Sequence, residues 1–259
     1  MKKLKNKIFV IDIGNTQIKF AEVSDNFSVT KIKTCQTNNS ISKIKNIIVE
    51  FIARETIEKI AIASVVSNIE QKILEFIKQK FPKLKITQLN YSSFSKKYKS
   101  NLNTKKCKPG ADRLANAVFA IEKYECPTCI VDIGSAVTME VIDSKKTFIG
   151  GVIFPGIKLQ LESLQKKTSQ LKNIKLQANH KAIGNSTDNA ITAGIVLGIT
   201  AAIEGLLQKI NSELNEDLKN IIITGGDGKL FLKHLSKFKK IIFDEHFTIK
   251  GIAYFAKNK

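Results

Sequence analysis

The stretch Phe9–Phe20, FVIDIGNTQIKF, determines the predicted fold. Apolar residues surround Asp12, and Gly14-Asn15-Thr16 then supply a turn before Gln17–Phe20 returns to strand-like alternation. The pattern predicts a β-hairpin with an aspartate at its bend. A carboxylate at the end of a buried strand is costly to desolvate unless it meets a cation or backbone amides. The hairpin therefore indicates a site for a phosphate and its magnesium ion; the alternative is an ordinary turn with local Asp and Asn hydrogen bonds.

A second copy of the pattern lies 132 − 12 = 120 residues downstream, in Ile130–Val141, IVDIGSAVTMEV. Two strand–acid–glycine–strand hairpins predict two halves of similar design. We expect an α/β protein with two lobes, each a mixed five-stranded sheet flanked by helices, and a cleft between them. The pair resembles the actin, hexokinase and heat-shock ATPase superfamily, whose lobes are ribonuclease H-like. The Ser-, Asn- and Lys-rich segment Tyr91–Pro109 is predicted to be a connecting loop, which gives lobes of residues 1–108 and 109–259.

The net charge of +19 raises the possibility of nucleic-acid binding, but the composition argues against it. Only Arg54 and Arg113 are arginines, so 42 − 2 = 40 of the basic residues are lysines, spread along the chain, and there is no tryptophan. Base recognition relies on bidentate arginine, and single-strand binding relies on aromatic platforms. The charge therefore indicates a solvated lysine-rich surface, with polyanion binding as the alternative.

No membrane or secretory segment is predicted. The basic start lacks a cleavage site, and the uncharged run Ala190–Ile203 ends at Glu204, short of the roughly 20 residues that a spanning helix needs. We expect a soluble, cytoplasmic protein in which the spacing Cys126-Pro-Thr-Cys129 is structural, because no second pair completes a metal site.

Two roles are predicted for one long helix. Thr187-Asp188 is predicted to cap a helix that runs to about Asn211, with an apolar stripe and with Gly194 and Gly198 permitting close contact. The helix fits a core element, a dimer interface, or both.

Strand-end turns indicate where a nucleotide would bind. Gly228-Lys229 looks like the end of a P-loop, but Leu230 replaces Ser or Thr and Ile223 replaces the first glycine. No GxGxxG follows a strand, which removes a dinucleotide fingerprint. Four glycine turns remain, all predicted to end strands and to favour a nucleotide cleft: Gly14, Gly134, Gly150-Gly151 and Gly225-Gly226.

The third acidic candidate is Asp112, at the predicted N-terminus of a helix, where the dipole favours an anion. It could accept the proton of a substrate hydroxyl, and Arg113 beside it offers a planar fork for a carboxylate. Phosphoryl transfer needs this kind of positioning more than covalent help. The alternative is a helix-capping acid next to a solvated arginine.

Six motifs in order identify the chain as similar to type III pantothenate kinases over nearly its whole length. They are Asp12-Ile-Gly-Asn-Thr-Gln-Ile-Lys19, Gly110-Ala-Asp-Arg113, Asp132-Ile-Gly-Ser-Ala-Val-Thr138, Gly150-Gly-Val-Ile-Phe-Pro-Gly156, Gly184-Asn-Ser-Thr187 and Thr224-Gly-Gly-Asp227.

The resemblance implies phosphorylation of the terminal hydroxyl of pantothenate by ATP, the committed step towards coenzyme A. It implies Asp112 as proton acceptor, Asp132 as ligand of a monovalent cation (K⁺ or NH₄⁺), and Asp12 as ligand of Mg²⁺, directly or through water. It also implies a homodimer with Thr187 reaching substrate across the interface. The residues expected to bind ATP are Asp12, Ile13, Gly14, Asn15, Thr16, Gln17, Ile18, Lys19, Ser135, Gly225 and Gly226, and those expected to bind pantothenate are Gly110, Ala111, Asp112, Arg113, Thr187 and Asn103.

Two positions depart from the family pattern. Ser135 stands where the family usually has Thr, and Asn103 stands where it often has Tyr. Two functional alternatives stay open on the sequence alone. One is a non-catalytic relative that acts as a transcription accessory factor; the other is a superfamily kinase or phosphatase for another small hydroxyl substrate.

Overall fold

The fold is described from a computed structural model, which describes residues 7–53, 57–105, 108–167, 181–235, 238 and 240–258. The chain forms two compact units. The N-terminal unit comprises Met1–Tyr124 together with His246–Lys259, and the C-terminal unit comprises Glu125–Glu245.

The N-terminal unit contains a mixed five-stranded sheet in the order β3-β2-β1-β4-β5. The first three strands form an antiparallel meander, and β4 and β5 add to it in parallel. Alternate residues such as Phe9, Ile11 and Ile13 are fully buried in the core, which explains the strand pattern of the sequence. The strands are β1 (Lys7–Ile13), β2 (Gln17–Val23), β3 (Val29–Gln36), β4 (Ile57–Ser64) and β5 (Lys85–Leu89).

Among the described residues, the helices of this unit are α1 (Ile41–Ala53), α2 (Ser67–Lys80), α3 (Tyr91–Ser95), α4 (Ala111–Lys123) and α9 (Phe247–Lys257). The short helix α3 corrects the prediction that Tyr91–Pro109 is entirely loop. Its cause is a capping box, in which the Asn90 side chain accepts from the Ser93 N–H and the Ser93 hydroxyl accepts from the Asn90 N–H.

The boundary between the units lies after Tyr124, which differs from the predicted boundary after residue 108. The reason is that α4 packs on α9 and also contacts β4 and β5. Phe119 of α4 meets Phe247 of α9 edge to face, with ring centroids 5.1 Å apart. Thr248 donates a hydrogen bond of 2.9 Å to the fully buried Asn116. The last helix therefore completes the N-terminal unit.

The C-terminal unit contains a second mixed five-stranded sheet, in the order β10-β9-β6-β7-β8. Its first three strands again form an antiparallel meander, and the last two again add in parallel. The strands are β6 (Thr128–Ile133), β7 (Ala136–Ile142), β8 (Phe148–Pro155), β9 (Asn220–Thr224) and β10 (Ile241–Phe243).

The helices of this unit are α5 (Ile157–Lys167), α6 (Thr187–Thr192), α7 (Gly198–Leu214) and α8 (Gly228–Phe231). A π-helical turn, Ala193–Leu197, joins α6 to α7. The N-cap of α6 is Ser186, whose hydroxyl accepts from the Asn189 N–H at 3.2 Å, and not the predicted Thr187-Asp188.

Among the described residues, one continuous helical stretch, Thr187–Leu214, is long and apolar enough to cross a membrane by length and composition alone. Its Ile195, Ile199 and Ile203 are buried in the core of the C-terminal unit. A core helix of a soluble protein passes the same test of length and composition. The burial of this stripe agrees with the predicted core role.

The two units have the same strand order, which fits the two halves of similar design that the duplicated hairpins predicted. In each sheet the third, second, first, fourth and fifth strands of the unit lie side by side in that order. The two hairpins consequently occupy equivalent places, with Asp12 in the first strand of one unit and Asp132 in the first strand of the other.

Candidate active site

The first predicted turn, Gly14–Asn15–Thr16, connects β1 to β2 in the N-terminal unit. The Gly14 N–H donates to the Gln17 carbonyl at 3.0 Å, which closes the turn. Lys19 lies directly opposite Asp12 in the antiparallel register. Both side chains are half-buried, and directly opposed residues share one face of a sheet. The structure thus places Asp12 and Lys19, both predicted to bind ATP, opposite each other on neighbouring strands.

Two of the residues predicted to bind ATP point into the core. Ile13 and Ile18 are fully buried among the apolar residues of the N-terminal unit. A ligand at the turn could therefore meet their backbone but not their side chains. Asn15 and Gln17 are exposed, and Thr16 is half-buried.

Asp112 lies in the first turn of α4, and Gly110, the N-cap of this helix, shares a neighbour with the end of β1. The link is Val65, which follows β4: its N–H donates to the Ile13 carbonyl at 3.0 Å. A Cβ added at Gly110 would approach Val65 Cγ1 to 3.1 Å and would also strike the Asp112 carboxylate. Val65 thus touches both the end of β1 and the start of the Gly110–Arg113 motif.

The Asp112 carboxylate is oriented by its own helix. Its Oδ1 accepts a hydrogen bond of 2.8 Å from the Arg113 backbone N–H. The half-buried side chain therefore has one oxygen, Oδ1, hydrogen-bonded to the backbone. Ala111 is buried, and Arg113 is half-buried.

The second predicted turn, Gly134–Ser135, connects β6 to β7 in the C-terminal unit. Asp132 lies opposite Thr138 of β7 and opposite Thr224 of β9, so two hydroxyl residues flank the carboxylate on one face of the sheet. The Thr224 Oγ1 is buried and has no hydrogen-bond partner within the described part of the chain. A buried hydroxyl without a partner costs about 1–3 kcal/mol.

The glycine turn after β9 packs directly against Asp132. Gly225 has a φ of +90°, and a Cβ there would strike the Asp132 carboxylate and the Ile133 carbonyl. The Asp227 N–H donates to the same Ile133 carbonyl at 3.0 Å. Burial raises the pKa of the Asp227 carboxyl. The structure therefore brings Asp132 and the Gly225-Gly226 turn together within the C-terminal unit, and Ser135 lies three residues after Asp132 in the β6–β7 turn.

Two predicted residues stand apart from these groups. Asn103 is exposed, and its Oδ1 accepts a 3.4 Å bond from the Lys105 N–H in its own loop. Thr187 is exposed in the first turn of α6. Within the described ranges, neither side chain is hydrogen-bonded to another predicted site residue.

Sequence reasoning did not single out Val65 or Thr224 as individual site residues. Val65 is an ordinary apolar residue after a strand, and only the pairing of β4 with β1 shows what it touches. Thr224 opens the Thr224-Gly-Gly-Asp227 motif, and the signal that could have found it is its place at the end of a buried strand.

The described residues contain no group of three or more His, Cys, Asp or Glu side chains arranged to hold a metal ion. Cys126 and Cys129 are free thiols. Burial raises the pKa of both, so neither is an activated thiolate.

Comparison with known proteins agrees with this geometry. The family model described as type III pantothenate kinase matches residues 8–209. Among curated relatives, the type III pantothenate kinase of Sulfurihydrogenibium sp. (strain YO3AOP1) is 30% identical, with 96% of this chain and 99% of the relative covered. That of Pelagibacter ubique (strain HTCC1062) is 34% identical, with 95% and 96% covered.

Solved structures show the same fold at lower identity. A structure described as a Baf family transcriptional activator from Campylobacter jejuni has a TM-score of 0.61 at 22% identity, covering 96% of this chain and 98% of that one. The ROK family glucokinase of Streptomyces griseus has a TM-score of 0.54 at 13% identity, covering 98% and 100%. The predicted kinase-type fold of two mixed five-stranded sheets is confirmed. From the family match and the full-length relatives, the chain belongs to the type III pantothenate kinase family.

Proposed function

We propose that this chain transfers the γ-phosphoryl group of ATP to the terminal hydroxyl of pantothenate, with Asp112 as the proton acceptor. The observation that supports the proposal is that Val65 joins the two motifs: its N–H donates to the Ile13 carbonyl, and its side chain lies against Gly110, two residues before Asp112. An alcohol becomes a competent nucleophile when a carboxylate within hydrogen-bonding reach takes its proton. Asp112 Oδ1 is held by the Arg113 N–H, so Oδ2 is the atom that we assign to this proton.

The N-terminus of α4 explains why Asp112 suits this role. A helix N-terminus carries partial positive charge, which favours the ionised carboxylate that a base requires. Arg113 follows at once and supplies a planar cation for the pantothenate carboxylate. Gly110 and Ala111 complete the proposed pantothenate segment: Gly110 allows the Asp112 carboxylate to lie close to the backbone. Asn103 and Thr187 are proposed as further contacts on the family resemblance alone.

We assign ATP to the Asp12–Lys19 turn, with Ser135 and the Gly225-Gly226 turn as further contacts. Backbone amides of glycine turns and a nearby lysine are suited to phosphate oxygens. Because no cluster of three acidic or imidazole ligands exists among the described residues, Mg²⁺ would be held chiefly by the phosphates, with Asp12 as the protein ligand, directly or through water. Bound magnesium neutralises charge on the transferred phosphoryl group.

Asp132 is proposed to hold a monovalent cation, K⁺ or NH₄⁺. Its strand neighbours differ from those of Asp12: Asp12 lies opposite Lys19 and Ala63, whereas Asp132 is flanked by the uncharged Thr138 and Thr224. A carboxylate next to hydroxyl oxygens is a suitable donor set for a hard cation. The unpaired, buried Thr224 Oγ1 fits such a ligand.

The helix α6–α7 supports the proposal of a homodimer. Gly194, Gly198 and Gly205 are exposed, and a Cβ at any of them would meet nothing within 4 Å. From Gly194 to Gly205 the exposed residues, including Ala201, are all small and uncharged, while the opposite stripe is buried in the core. We propose that a second copy covers it, and that the protein acts in the cytoplasm.

The test is to incubate the purified protein with pantothenate, ATP, Mg²⁺ and K⁺, and to measure phosphopantothenate by mass spectrometry. We expect product from the wild type, less product when Na⁺ replaces K⁺, and a loss of at least about a hundredfold in kcat for Asp112→Asn. Glu70→Gln is the matched control, because Glu70 also lies in the first turn of a helix of the N-terminal unit. A folded wild type that yields no product would support the accessory-factor alternative instead.

A further inference from the structure

Thr37, which directly follows β3, makes two hydrogen bonds to the Gly14–Asn15–Thr16 turn. Its hydroxyl donates a hydrogen bond of 2.7 Å to the Gly14 carbonyl. Its backbone N–H donates a second bond, of 3.0 Å, to the Thr16 carbonyl. Thr37 is only 6% exposed, so water competes little for either bond. One buried residue therefore fixes two of the three carbonyl groups of the Gly14–Asn15–Thr16 turn.

The hydroxyl bond sets the direction of one peptide group. In a planar trans peptide the C=O and the N–H point to opposite sides. Holding the Gly14 carbonyl toward Thr37 consequently aims the Asn15 N–H away from Thr37. Gly14 itself offers little resistance to rotation of this peptide, because glycine has no Cβ. A rotated peptide would present a carbonyl oxygen, which repels phosphate, in place of an N–H.

The C-terminal unit has an equivalent contact that is made by a backbone N–H alone. Comparing the two shows what the Thr37 hydroxyl adds. Gly156 directly follows β8, the equivalent strand, and its N–H donates to the Ser135 carbonyl at 3.0 Å. A Cβ at Gly156 would strike the Gly134 carbonyl, so no side chain fits there. Both turns are thus braced by a backbone N–H from the same position. Thr37 adds a side-chain bond that Gly156 cannot make, and that bond acts on the Gly14 peptide.

We propose that Thr37 is a positioning residue for ATP, which acts by keeping the Asn15 N–H turned toward the phosphate groups. The proposal rests on the proposed function, in which the Asp12–Lys19 turn binds ATP. It predicts that removing the hydroxyl weakens nucleotide binding and leaves the Asp112 side of the reaction unchanged.

The test uses the full chain with Thr37→Val, which keeps the volume and the backbone N–H but loses the hydroxyl. Thr37→Ser retains the hydroxyl and serves as the rescue. Thr30→Val is the matched control, because Thr30 lies on β3, the strand that precedes Thr37, and its hydroxyl also donates to a carbonyl, that of Glu22, at 3.3 Å. Binding of Mg²⁺ with a non-hydrolysable ATP analogue is measured by calorimetry, and KM is measured for each substrate.

For Thr37→Val we expect the analogue Kd and the KM for ATP to rise about tenfold, with kcat and the KM for pantothenate within about twofold of wild type. Thr37→Ser should stay within about threefold of wild type, and Thr30→Val should be unchanged. Equal nucleotide binding by Thr37→Val and Thr30→Val would overturn the proposal, as would an equal rise in both KM values.

A second pair of variants covers the case in which Thr37→Val does not fold. Thr37→Ser and Thr37→Ala both lack the methyl group, so weaker analogue binding by the alanine variant alone supports the proposal, and equal binding refutes it. Asp12→Asn separates the two levels of inference. If it leaves analogue binding unchanged, the ATP site itself is misplaced; if it weakens binding while Thr37→Val does not, only the role of Thr37 fails.

Discussion

Two adjacent glycines in the turn after β9 have different physical requirements. Gly225 combines a φ of +90° with close packing against the Asp132 carboxylate and the Ile133 carbonyl. A Cβ at Gly226 would meet nothing within 4 Å. A side chain at Gly225 must therefore be strained and displace Asp132, whereas one at Gly226 would only enter open space.

We expect Gly225→Ala to lower the midpoint of thermal unfolding by about 5 °C or more, because left-handed strain of about 1–3 kcal/mol adds to the steric clash. Differential scanning calorimetry measures it. Gly226→Ala is the control and should shift the midpoint by less than about 1 °C. Equal shifts in the two variants would show that the close packing of Gly225 against Asp132 does not contribute to the stability of the protein.

The half-buried Asp227 gives a prediction with a defined sign. Its folded-state pKa is raised by burial, so the folded protein binds this proton more tightly than the unfolded chain does. The stability linked to protonated Asp227 is fully present below the ordinary aspartate pKa of about 4 and is lost as the pH rises through the raised value. Asp227→Asn should therefore be more stable than wild type at pH 7, with a gap that narrows on acidification.

Chemical unfolding at a series of pH values measures this gap. Asp217→Asn, which changes an exposed aspartate of the same unit, is the control for the loss of one carboxylate. A wild type that is more stable than Asp227→Asn at pH 7 would mean that a favourable contact outweighs the cost of burial.

At the scale of elements, the local sequence pattern predicted the hairpins. Which unit the last helix joins depends on long-range packing, which a local pattern does not reveal. The alternation in Phe9–Phe20 is visible within a few residues, and both hairpins form as predicted. The return of α9 to the N-terminal unit depends on α4, more than a hundred residues away in sequence, so no local signal marks it. Thr37 escaped prediction for the same reason, because its partner Gly14 is 23 residues distant.

The exposed face of α6–α7 yields a prediction about assembly. Gly198→Arg should convert the proposed dimer into a monomer, because a charge placed in a close apolar contact loses hydration without gaining a partner. The space around Gly198 within the protomer tolerates the larger side chain. Light scattering coupled to gel filtration measures the mass.

Leu230→Arg is the control for assembly, since it places the same charge at an exposed apolar residue of α8. It should leave the mass unchanged. A Gly198→Arg protein that keeps the wild-type mass would place any dimer contact elsewhere.

For the whole molecule, repetition of one architecture accounts for the two acidic turns. The same strand order in both units places Asp12 and Asp132 at equivalent positions, while their neighbours differ, lysine for one and threonines for the other. The cleft between the halves that the sequence predicts stays a prediction. Each unit on its own accounts for one group of candidate residues.

The net charge of +19 leads to a prediction about rate. A strongly positive protein attracts anionic substrates, and salt screens the attraction. Raising the ionic strength from about 0.02 to about 0.15 M with choline chloride, at constant K⁺, should lower kcat/KM for ATP severalfold. Pantothenate, with a single carboxylate, serves as the internal control and should be affected less. An equal effect on both substrates would contradict long-range attraction of the nucleotide.

The return of α9 also orders events during synthesis on the ribosome. The C-terminal unit is contiguous in the chain, so it can fold as soon as it has emerged. The N-terminal unit begins to emerge earlier, but its helix α4 packs on α9. Because α9 is translated only after the whole C-terminal unit, the apolar side of α4 stays without this partner until then. The nascent chain therefore exposes that surface throughout this interval, which makes it the segment on which a chaperone would act.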